Sequence, residues 1–350
     1  MGIFIFLFVV LVLMSFTISC KRQTSRGRLL QAIFCTALLV CIQGLRHETI
    51  GIDSCNAYRP FFESVIGGIG NIFDIDDVLY GFEPGFVIFT KIIKTLFSDT
   101  QLYILICSSL SIIPIGYLIY KYADNIPLAF IIFSSFIVYH FGFSGIRQAI
   151  AIGITAIAFE FIVKRKPIWF VVFVLLSSSI HSSAILFLIA YPLYHRLRLT
   201  PKMLFLVAIC FIVVLFFVKP IVLGLTELIF SGERYMSKAM ENAIPSYNLM
   251  ILLAVLLFFT YLSDDKRLQP IRSILLMSVI SQSLGLASTS ASRVAYYFIP
   301  YFAIALPITT SSMESRYFME FIIVSFFIFF FFYSCGNGYL DVIPYKFFWE

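Results

Sequence analysis

The sequence predicts an all-α integral membrane protein with about twelve transmembrane helices. Of its 350 residues, 60% are hydrophobic and only 13% are charged, whereas soluble domains carry about 25% charged residues. Apolar stretches long enough for about 20 residues of helix recur along the whole chain. This composition excludes a soluble enzyme, a nucleic-acid binder and a disordered chain. We therefore expect one membrane domain over residues 1–350.

A helical hairpin is predicted near residues 167–194, because a polar break interrupts this apolar block and basic clusters flank it. Pro167 to Ile180 makes roughly 21 Å of helix, which is shorter than the apolar core of about 30 Å. We therefore expect the tip at His181 to lie in a cavity rather than in lipid. The other predicted spans lie near residues 2–20, 29–45, 101–119, 126–143, 147–163, 202–219, 248–262, 270–288, 293–309 and 317–334.

Basic residues orient these spans. A basic cluster follows the first span rather than preceding it (Lys21, Arg22, Arg26 and Arg28), which places the N-terminus outside. If successive spans cross the membrane in alternating directions from there, the basic clusters fall on the inner side. This holds only if the amphipathic segment 85–97 does not cross the membrane. We therefore predict that segment 85–97 is an interfacial or re-entrant helix and that both termini are periplasmic.

Two long loops, residues 46–99 and 220–247, remain on the outer face, so we expect the chemistry there. Isolated polar groups stand in these loops or at outer helix ends, namely Arg46, Asp53, Tyr58, Glu83, Arg147, Gln148, His181, Arg234, Arg293 and Tyr297. Arginine keeps its charge and binds phosphate through a planar, bidentate fork. A carboxylate or histidine supplies a base for a hydroxyl nucleophile. The combination suits a lipid-linked diphosphate sugar.

Three residues are alternatives for the base, namely Asp53, Glu83 and His181. A neutral imidazole accepts a proton near neutral pH, whereas a carboxylate needs burial to raise its pKa. A histidine beside phosphates tends to become protonated. We therefore favour Asp53 as the base and expect His181 to contact the diphosphate or the acceptor, with Glu83 as the remaining alternative.

Five short motifs occur in a fixed order, and together they resemble the EpsG-type, Wzy-like polysaccharide polymerases over roughly residues 40–310. They are the run 46–53 with Tyr58, the Glu-Pro-Gly-Phe stretch 83–86, Arg147-Gln148 after the Phe-Ser-Gly stretch 143–145, His181-x-Ser183, and Arg293 with Tyr297-Phe298. One departure is Ile52 before Asp53, where many members carry a small polar residue.

The resemblance implies an O-antigen or exopolysaccharide polymerase in the bacterial inner membrane, with a GT-C-like fold, no cofactor and no metal. Such enzymes transfer a glycan from undecaprenyl diphosphate to a new lipid-linked repeat unit, here as an inverting transfer. The expected partners are these lipid-linked glycans, membrane lipids, and the chain-length regulator and flippase of the same pathway, but no nucleic acid. Diphosphate binding is then expected at Arg147, Arg293 and Arg46, and acceptor binding at Tyr58, Gln148, Tyr297 and Arg234.

Other functions remain as alternatives. The Asp-Ile-Asp-Asp string at residues 74–77 resembles a metal-binding motif, but its glycine-rich surroundings favour a solvated turn. An O-antigen ligase would use the same donor with a different acceptor. A flippase or other transporter would be expected to carry charges near the midplane and internal repeats, and we find neither in the sequence.

Overall fold

The computed structural model describes residues 1–19, 24–74, 81–200, 202–206, 209, 247–283, 292–336 and 342–350. Within these ranges the regular elements are helices, accompanied by one isolated antiparallel bridge between Arg46 and Phe347. The predicted all-α class is therefore confirmed.

The chain forms two compact units, Met1–Leu188 with Met313–Glu350, and Ile189–Ser312. The first unit contains α1 (Gly2–Ser19), α2 (Ser25–Gly44), α3 (Arg59–Ser64), α4 (Pro84–Leu96), α5 (Thr100–Tyr122), α6 (Ile126–Ser135), α7 (Ile137–Phe141), α8 (Ile146–Val163) and α9 (Pro167–Ile180). The second unit contains α10 (Ala190–Arg196), α11 (Tyr247–Phe259), α12 (Leu268–Ser283) and α13 (Phe302–Ser311). Helix α14 (Arg316–Gly336) completes the first unit.

Four of the described helices, α2, α5, α8 and α14, are long and apolar enough to cross a membrane. Shorter apolar helices accompany them, among them α1, α6 and α9. The chain is therefore a membrane-embedded protein whose helices are consistent with several crossings, while the number of about twelve crossings stays a prediction. Helix α4 contains 13 residues, about 20 Å of helix, and the interfacial or re-entrant position of segment 85–97 stays a prediction.

Two of the predicted spans are not continuous helices. The stretch 126–143 breaks at Phe136, whose ψ of 153° is extended. The hydroxyls of Ser134 and Ser135 both bond back to the Ile131 carbonyl, and such bonds compete with the helical ladder. The stretch 293–309 begins as 3₁₀ turns around Pro300, which has no N–H to donate, and becomes α-helical only at Phe302.

The centre of the first unit is a layer of three helices, in which α5 packs between α2 and α8, and α9 covers α8. Small residues allow the close contacts. A Cβ at Gly153 of α8 would overlap the Leu110 carbonyl oxygen of α5, and one at Gly116 of α5 would overlap Thr36 of α2. Membrane helices associate through such small-residue contacts because lipid supplies no hydrophobic drive.

An aromatic cluster fixes the segment between α2 and α4 on this layer. The Phe62 ring stacks on Tyr103 of α5 with centroids 4.3 Å apart, and Phe61 meets Phe82 edge to face at 4.8 Å. Tyr58 stacks on Phe82 at 5.5 Å. Burying each such ring contributes about 1.5–3 kcal/mol. The cluster thereby holds the residues just before α4 against the helical layer.

The loop between α7 and α8 is held by the segment that follows α2. The Arg46 guanidinium is fully buried and donates to the Phe143 carbonyl oxygen at 3.0 Å. The Asp53 N–H donates to Ser144 Oγ, also at 3.0 Å. Gly51 has a φ of +89°, and a Cβ there would overlap the Phe143 carbonyl oxygen. Only glycine fits this position without strain.

We predict that Gly51→Ala destabilises the protein more than Gly81→Ala. Both glycines have positive φ, but a Cβ at Gly81 meets nothing within 4 Å. The alanine at position 81 carries only the backbone cost, about 1 kcal/mol. The alanine at position 51 adds an overlap with backbone, worth about 1–3 kcal/mol more. Thermal unfolding of the two variants in detergent measures the difference, and equal midpoints would contradict the structure.

Candidate active site around Glu83

The Glu-Pro-Gly-Phe stretch begins helix α4 and brings it against the end of α9. Glu83 is the N-cap residue and Pro84 opens the helix, where its missing N–H costs nothing. A Cβ at Gly85 would lie 2.6 Å from the Ser179 carbonyl oxygen, so glycine is required for this approach. Phe86 is fully buried in the aromatic cluster. The stretch therefore places Glu83 beside the C-terminus of α9.

The Glu83 carboxylate contacts residues from two distant segments. Its Oε2 forms an ion pair with Arg147 Nη1. Its Oε1 lies 3.1 Å from His181 Nδ1 and accepts the Ser182 N–H at 3.0 Å. Helices α4, α8 and α9 thus meet at one carboxylate. Three predicted residues, Glu83, Arg147 and His181, are brought together by this contact.

The pKa of Glu83 shows which form of the carboxyl the site favours. Glu83 is the N-cap residue of the 13-residue helix α4, outside the four helices that are long enough to cross a membrane. Burial raises its pKa, but the hydrogen bonds from His181 and Ser182, together with the charge of Arg147, outweigh burial and lower the pKa to about 2. The side chain is therefore an ionised hydrogen-bond acceptor at neutral pH and a weak base.

Arg147 stands in the first turn of α8 and faces the aromatic cluster. Its Nε donates to the Tyr58 hydroxyl at 3.3 Å, and its guanidinium lies 4.5 Å from the centre of the Phe82 ring. The side chain is 21% exposed. Its Nη1 contacts Glu83 and its Nε contacts Tyr58, and no protein acceptor for Nη2 is found among the residues that the structure describes. A cation over an aromatic face in this setting is held in a fixed orientation.

His181 terminates α9 at the predicted position. Helix α9 covers Pro167–Ile180, and His181 has extended dihedrals, with φ −150° and ψ 113°. Because a carboxylate only accepts, we assign the proton to Nδ1, which donates to Glu83. The other ring nitrogen, Nε2, then carries a lone pair. The side chain is 24% exposed, so a ligand can reach it.

Asp53 lies close to this group but is held differently. Its backbone N–H is bound by Ser144, and its side chain is half-buried. Its negative charge acts on Tyr58, whose pKa is raised mainly by burial and further by Asp53, against the lowering effect of Arg147. Within the described part of the chain, no hydrogen bond to the Asp53 carboxylate is found.

The remaining predicted site residues lie elsewhere. Arg46 donates to Gln43, Ile50 and Phe143 carbonyls and to Ser54 Oγ, and burial together with nearby Arg59 lowers its pKa to about 10. Gln148 is buried in α8. The second unit contains Arg293, which is exposed, and Tyr297, which is buried. Arg234 falls outside the described residues.

Sequence reasoning missed two contributors to the site. The Ser182 N–H binds Glu83, and a backbone group leaves no trace in a residue pattern. Phe82 lies under the Arg147 guanidinium. In the sequence, only its position directly before Glu83 could have indicated that it belongs to the site. In the ranges that the structure describes, no group of three His, Cys, Asp or Glu side chains could hold a metal ion. Most of the acidic string at 74–77 lies outside these ranges.

We predict that part of the protein's stability is lost in acid through Glu83. The pKa of this carboxyl is lower in the folded chain, about 2, than its ordinary value of 4.5. Its stabilising contribution is therefore present above pH 4.5 and lost as the pH falls towards 2, on the order of 2–3 kcal/mol. Thermal unfolding against pH should show this loss in the parent protein and not in Glu83→Gln. Identical pH dependence in both proteins would contradict the assignment.

The comparisons with known proteins identify the family. No curated protein and no solved structure matches the chain. The sequence pattern of the EpsG family matches residues 29–347, nearly the whole chain. This range includes the three segments that meet at Glu83. The chain therefore belongs to the EpsG family.

Proposed function

We propose that the protein polymerises undecaprenyl-diphosphate-linked oligosaccharide repeat units at the outer face of the bacterial inner membrane. The product is an O-antigen or exopolysaccharide. Membership of the EpsG family supports a polysaccharide polymerase. The observation that carries the proposal is the joint contact of Arg147 and His181 with the Glu83 carboxylate. The contact brings together a guanidinium, which suits a phosphate ligand, and an imidazole, which suits a proton acceptor.

The transfer uses these two groups differently. A hydroxyl of the incoming repeat unit attacks the anomeric carbon of the donor glycan. A new C–O bond forms, the bond from the anomeric carbon to the diphosphate oxygen breaks, and the lipid diphosphate leaves with the electron pair. His181 Nε2 takes the hydroxyl proton, and the Arg147 guanidinium stabilises the charge on the leaving diphosphate. A single displacement of this kind inverts the anomeric centre and requires no metal.

Glu83 acts as the residue that positions both groups. Its pKa of about 2 makes it a weak base, but an ionised carboxylate fixes the histidine tautomer and stabilises the imidazolium that forms, as an orienting acid does in other catalytic dyads. Asp53 is the alternative base that the sequence favoured. The geometry supports His181 first, because its Nδ1 is held 3.1 Å from Glu83 Oε1.

Arg147 is proposed as the principal diphosphate ligand. Arg293, at the start of a 3₁₀ helix in the second unit, is a second candidate for this role. Arg46 is assigned a structural role, because its guanidinium is fully buried and hydrogen-bonded to the protein. Tyr58, Gln148, Tyr297 and Arg234 remain proposed acceptor contacts. Both termini are proposed to be periplasmic, and a chain-length regulator and a flippase of the same pathway are the proposed partners.

The phenotype of a deletion strain distinguishes this function from its alternatives. Loss of a polymerase leaves a single repeat unit on the lipid core of the lipopolysaccharide. Loss of an O-antigen ligase leaves bare core, and loss of a flippase leaves no repeat unit at the surface. We expect the single repeat unit, and either other pattern would refute the proposal in a strain that makes O-antigen.

We predict that Arg147→Lys lowers the polymerisation rate about 100-fold, the usual effect of losing one stabilising donor. Lysine keeps the charge but cannot contact Glu83, Tyr58 and a phosphate oxygen with one planar group. A purified assay with lipid-linked repeat units measures the rate. Arg267→Lys is the matched control, because Arg267 also pairs with a carboxylate, Asp265, but at an exposed site. Equal rates for the two variants would contradict the role of Arg147.

We predict that His181→Gln lowers turnover about 10²–10⁴-fold, the usual contribution of a general base, while donor binding is retained. Asp53→Asn should keep most of the turnover, since its carboxylate is not held beside Arg147. Single-turnover rates and donor affinity are measured separately for each variant. Loss of turnover in Asp53→Asn with near-normal rates in His181→Gln would exchange the two roles, and normal rates in both would remove the base from this site.

A further inference from the structure

A polar cavity, which the proposed reaction does not use, opens beside α3 in the first unit. Its volume is about 540 Å³, and its lining is mostly polar. The walls come from the segment after α2, from α3, from the start of α5 and from the C-terminal residues. Six of the lining residues are His47, Glu48, Arg59, Glu63, Gln101 and Phe348. We refer to this cavity as the α3 cleft.

Arg59 lines the α3 cleft with unused hydrogen-bonding capacity. The residue is only 9% exposed, yet its Nε is buried without a hydrogen-bond partner. Its one protein hydrogen bond among the described residues is a long one, from Nη2 to Gln101 Oε1 at 3.4 Å. Leaving buried donors of a charged group unpaired costs about 1–3 kcal/mol or more. A ligand oxygen that accepts from the Arg59 guanidinium in the cleft would offset part of this penalty.

Two carboxylates lie near the Arg59 guanidinium, but neither forms an ion pair with it. Glu48 and Glu63 act on its charge, but within the described residues neither reaches it within the 4 Å of a salt bridge. Glu63 follows Arg59 by four residues on α3, so both lie on the same face of that helix. The Gln101 side chain donates to the Gly44 carbonyl at 2.6 Å. Donors and acceptors therefore alternate along the cleft wall.

Exposed aromatic rings stand at the edge of the α3 cleft. Phe348 lines it and is 46% exposed. Next to it, Trp349 is 62% exposed and stacks on Phe347 with centroids 4.4 Å apart. Backbone hydrogen bonds from Phe348 to Leu45 and from His47 to Lys346 fix this C-terminal segment on the end of α2. The backbone that carries these rings is therefore held at the edge of the cleft.

We infer that the α3 cleft binds the saccharide part of the lipid-linked substrate, as a neutral, hydroxyl-rich glycan. Sugar hydroxyls donate and accept at once, which matches a wall of carboxylates, an amide and a guanidinium. The apolar C–H face of a sugar packs on exposed aromatic rings. Glu48, Glu63 and Asp99 outnumber the one arginine of the lining, so an anionic ligand is disfavoured by repulsion.

This inference rests on the proposed function and adds a location for the glycan. Tyr58 and Arg59 are consecutive residues, and Tyr58 bonds to Arg147 whereas Arg59 lines the α3 cleft. A glycan bound in the cleft therefore occupies a surface that is directly linked by the backbone to the group of Glu83, Arg147 and His181. The cleft supplies sugar recognition that the group of charged residues does not offer.

The test is direct binding of free oligosaccharide to the full chain in lipid nanodiscs. The probe is the neutral oligosaccharide fraction released by mild acid from the lipid-linked pool of a strain that lacks the protein. Saturation-transfer NMR and titration give the affinity for the parent protein, Arg59→Gln, Phe348→Ala and the control Phe73→Ala. Phe73 is an exposed aromatic residue of the same loop, outside the cleft lining.

We expect at least about tenfold weaker binding for Arg59→Gln and Phe348→Ala, and unchanged binding for Phe73→Ala, since one lost contact of this kind is worth about 1.4 kcal/mol. Phe348→Ala keeps the test valid if Arg59→Gln fails to fold, because Phe348 is exposed. Unchanged affinity in every folded cleft variant overturns the inference. The same holds if the cleft binds a cationic peptide, tetralysine, and not the neutral oligosaccharide.

Separate measurements of oligosaccharide binding and of polymerisation distinguish the cleft assignment from the proposed polymerase function. Glu83→Gln should bind the free oligosaccharide as the parent protein does, because Glu83 is not part of the cleft lining. If the purified parent protein binds the oligosaccharide through the cleft but never elongates lipid-linked repeat units, the proposed polymerase function fails while the cleft assignment stands. If it elongates them and the cleft variants bind normally, the cleft assignment fails alone.

Discussion

The ion pair between Glu83 and Arg147 joins two segments 64 residues apart, and the same carboxylate reaches His181, 98 residues away. Arg147 stands against aromatic rings, where a cation without a counter-charge would be costly, since breaking a buried pair costs about 3–5 kcal/mol. The start of α4, the first turn of α8 and the end of α9 therefore depend on this one carboxylate for their mutual position.

Steric requirements make that contact possible. Gly85 allows α4 to approach the Ser179 carbonyl at the end of α9, and Gly51 allows the segment after α2 to lie on the loop before α8. Arg46 then fastens this segment by donating to backbone carbonyls. A buried arginine with neutral acceptors satisfies its donors without drawing a carboxylate away from the site. The segment between α2 and α4 is thus held by helix ends, where backbone groups remain free to bond.

In the proposed mechanism, the residues of this group have separate roles in glycosyl transfer. Glu83 stays ionised and holds its neighbours, while His181 Nε2 and one edge of Arg147 remain for substrate. The short helix α3 connects this group with the α3 cleft, because Tyr58 just before its first residue contacts Arg147 and Arg59 lines the cleft. In the two proposals, sugar recognition and bond cleavage therefore share one support, the aromatic cluster that includes Phe61 and Phe62 of α3.

The amino-acid sequence by itself determined the all-α membrane class, the bounds of α9 and the choice of Glu83, Arg147, His181 and Tyr58, because bilayer thickness and isolated polar groups leave strong local patterns. Only the tertiary structure decided that Arg46 is buried in the protein, that the helical stretch 126–143 is interrupted at Phe136, and that Arg59 faces a cavity. Those outcomes depend on which distant carbonyls and side chains come together, and composition and periodicity carry no information about contacts between residues so far apart.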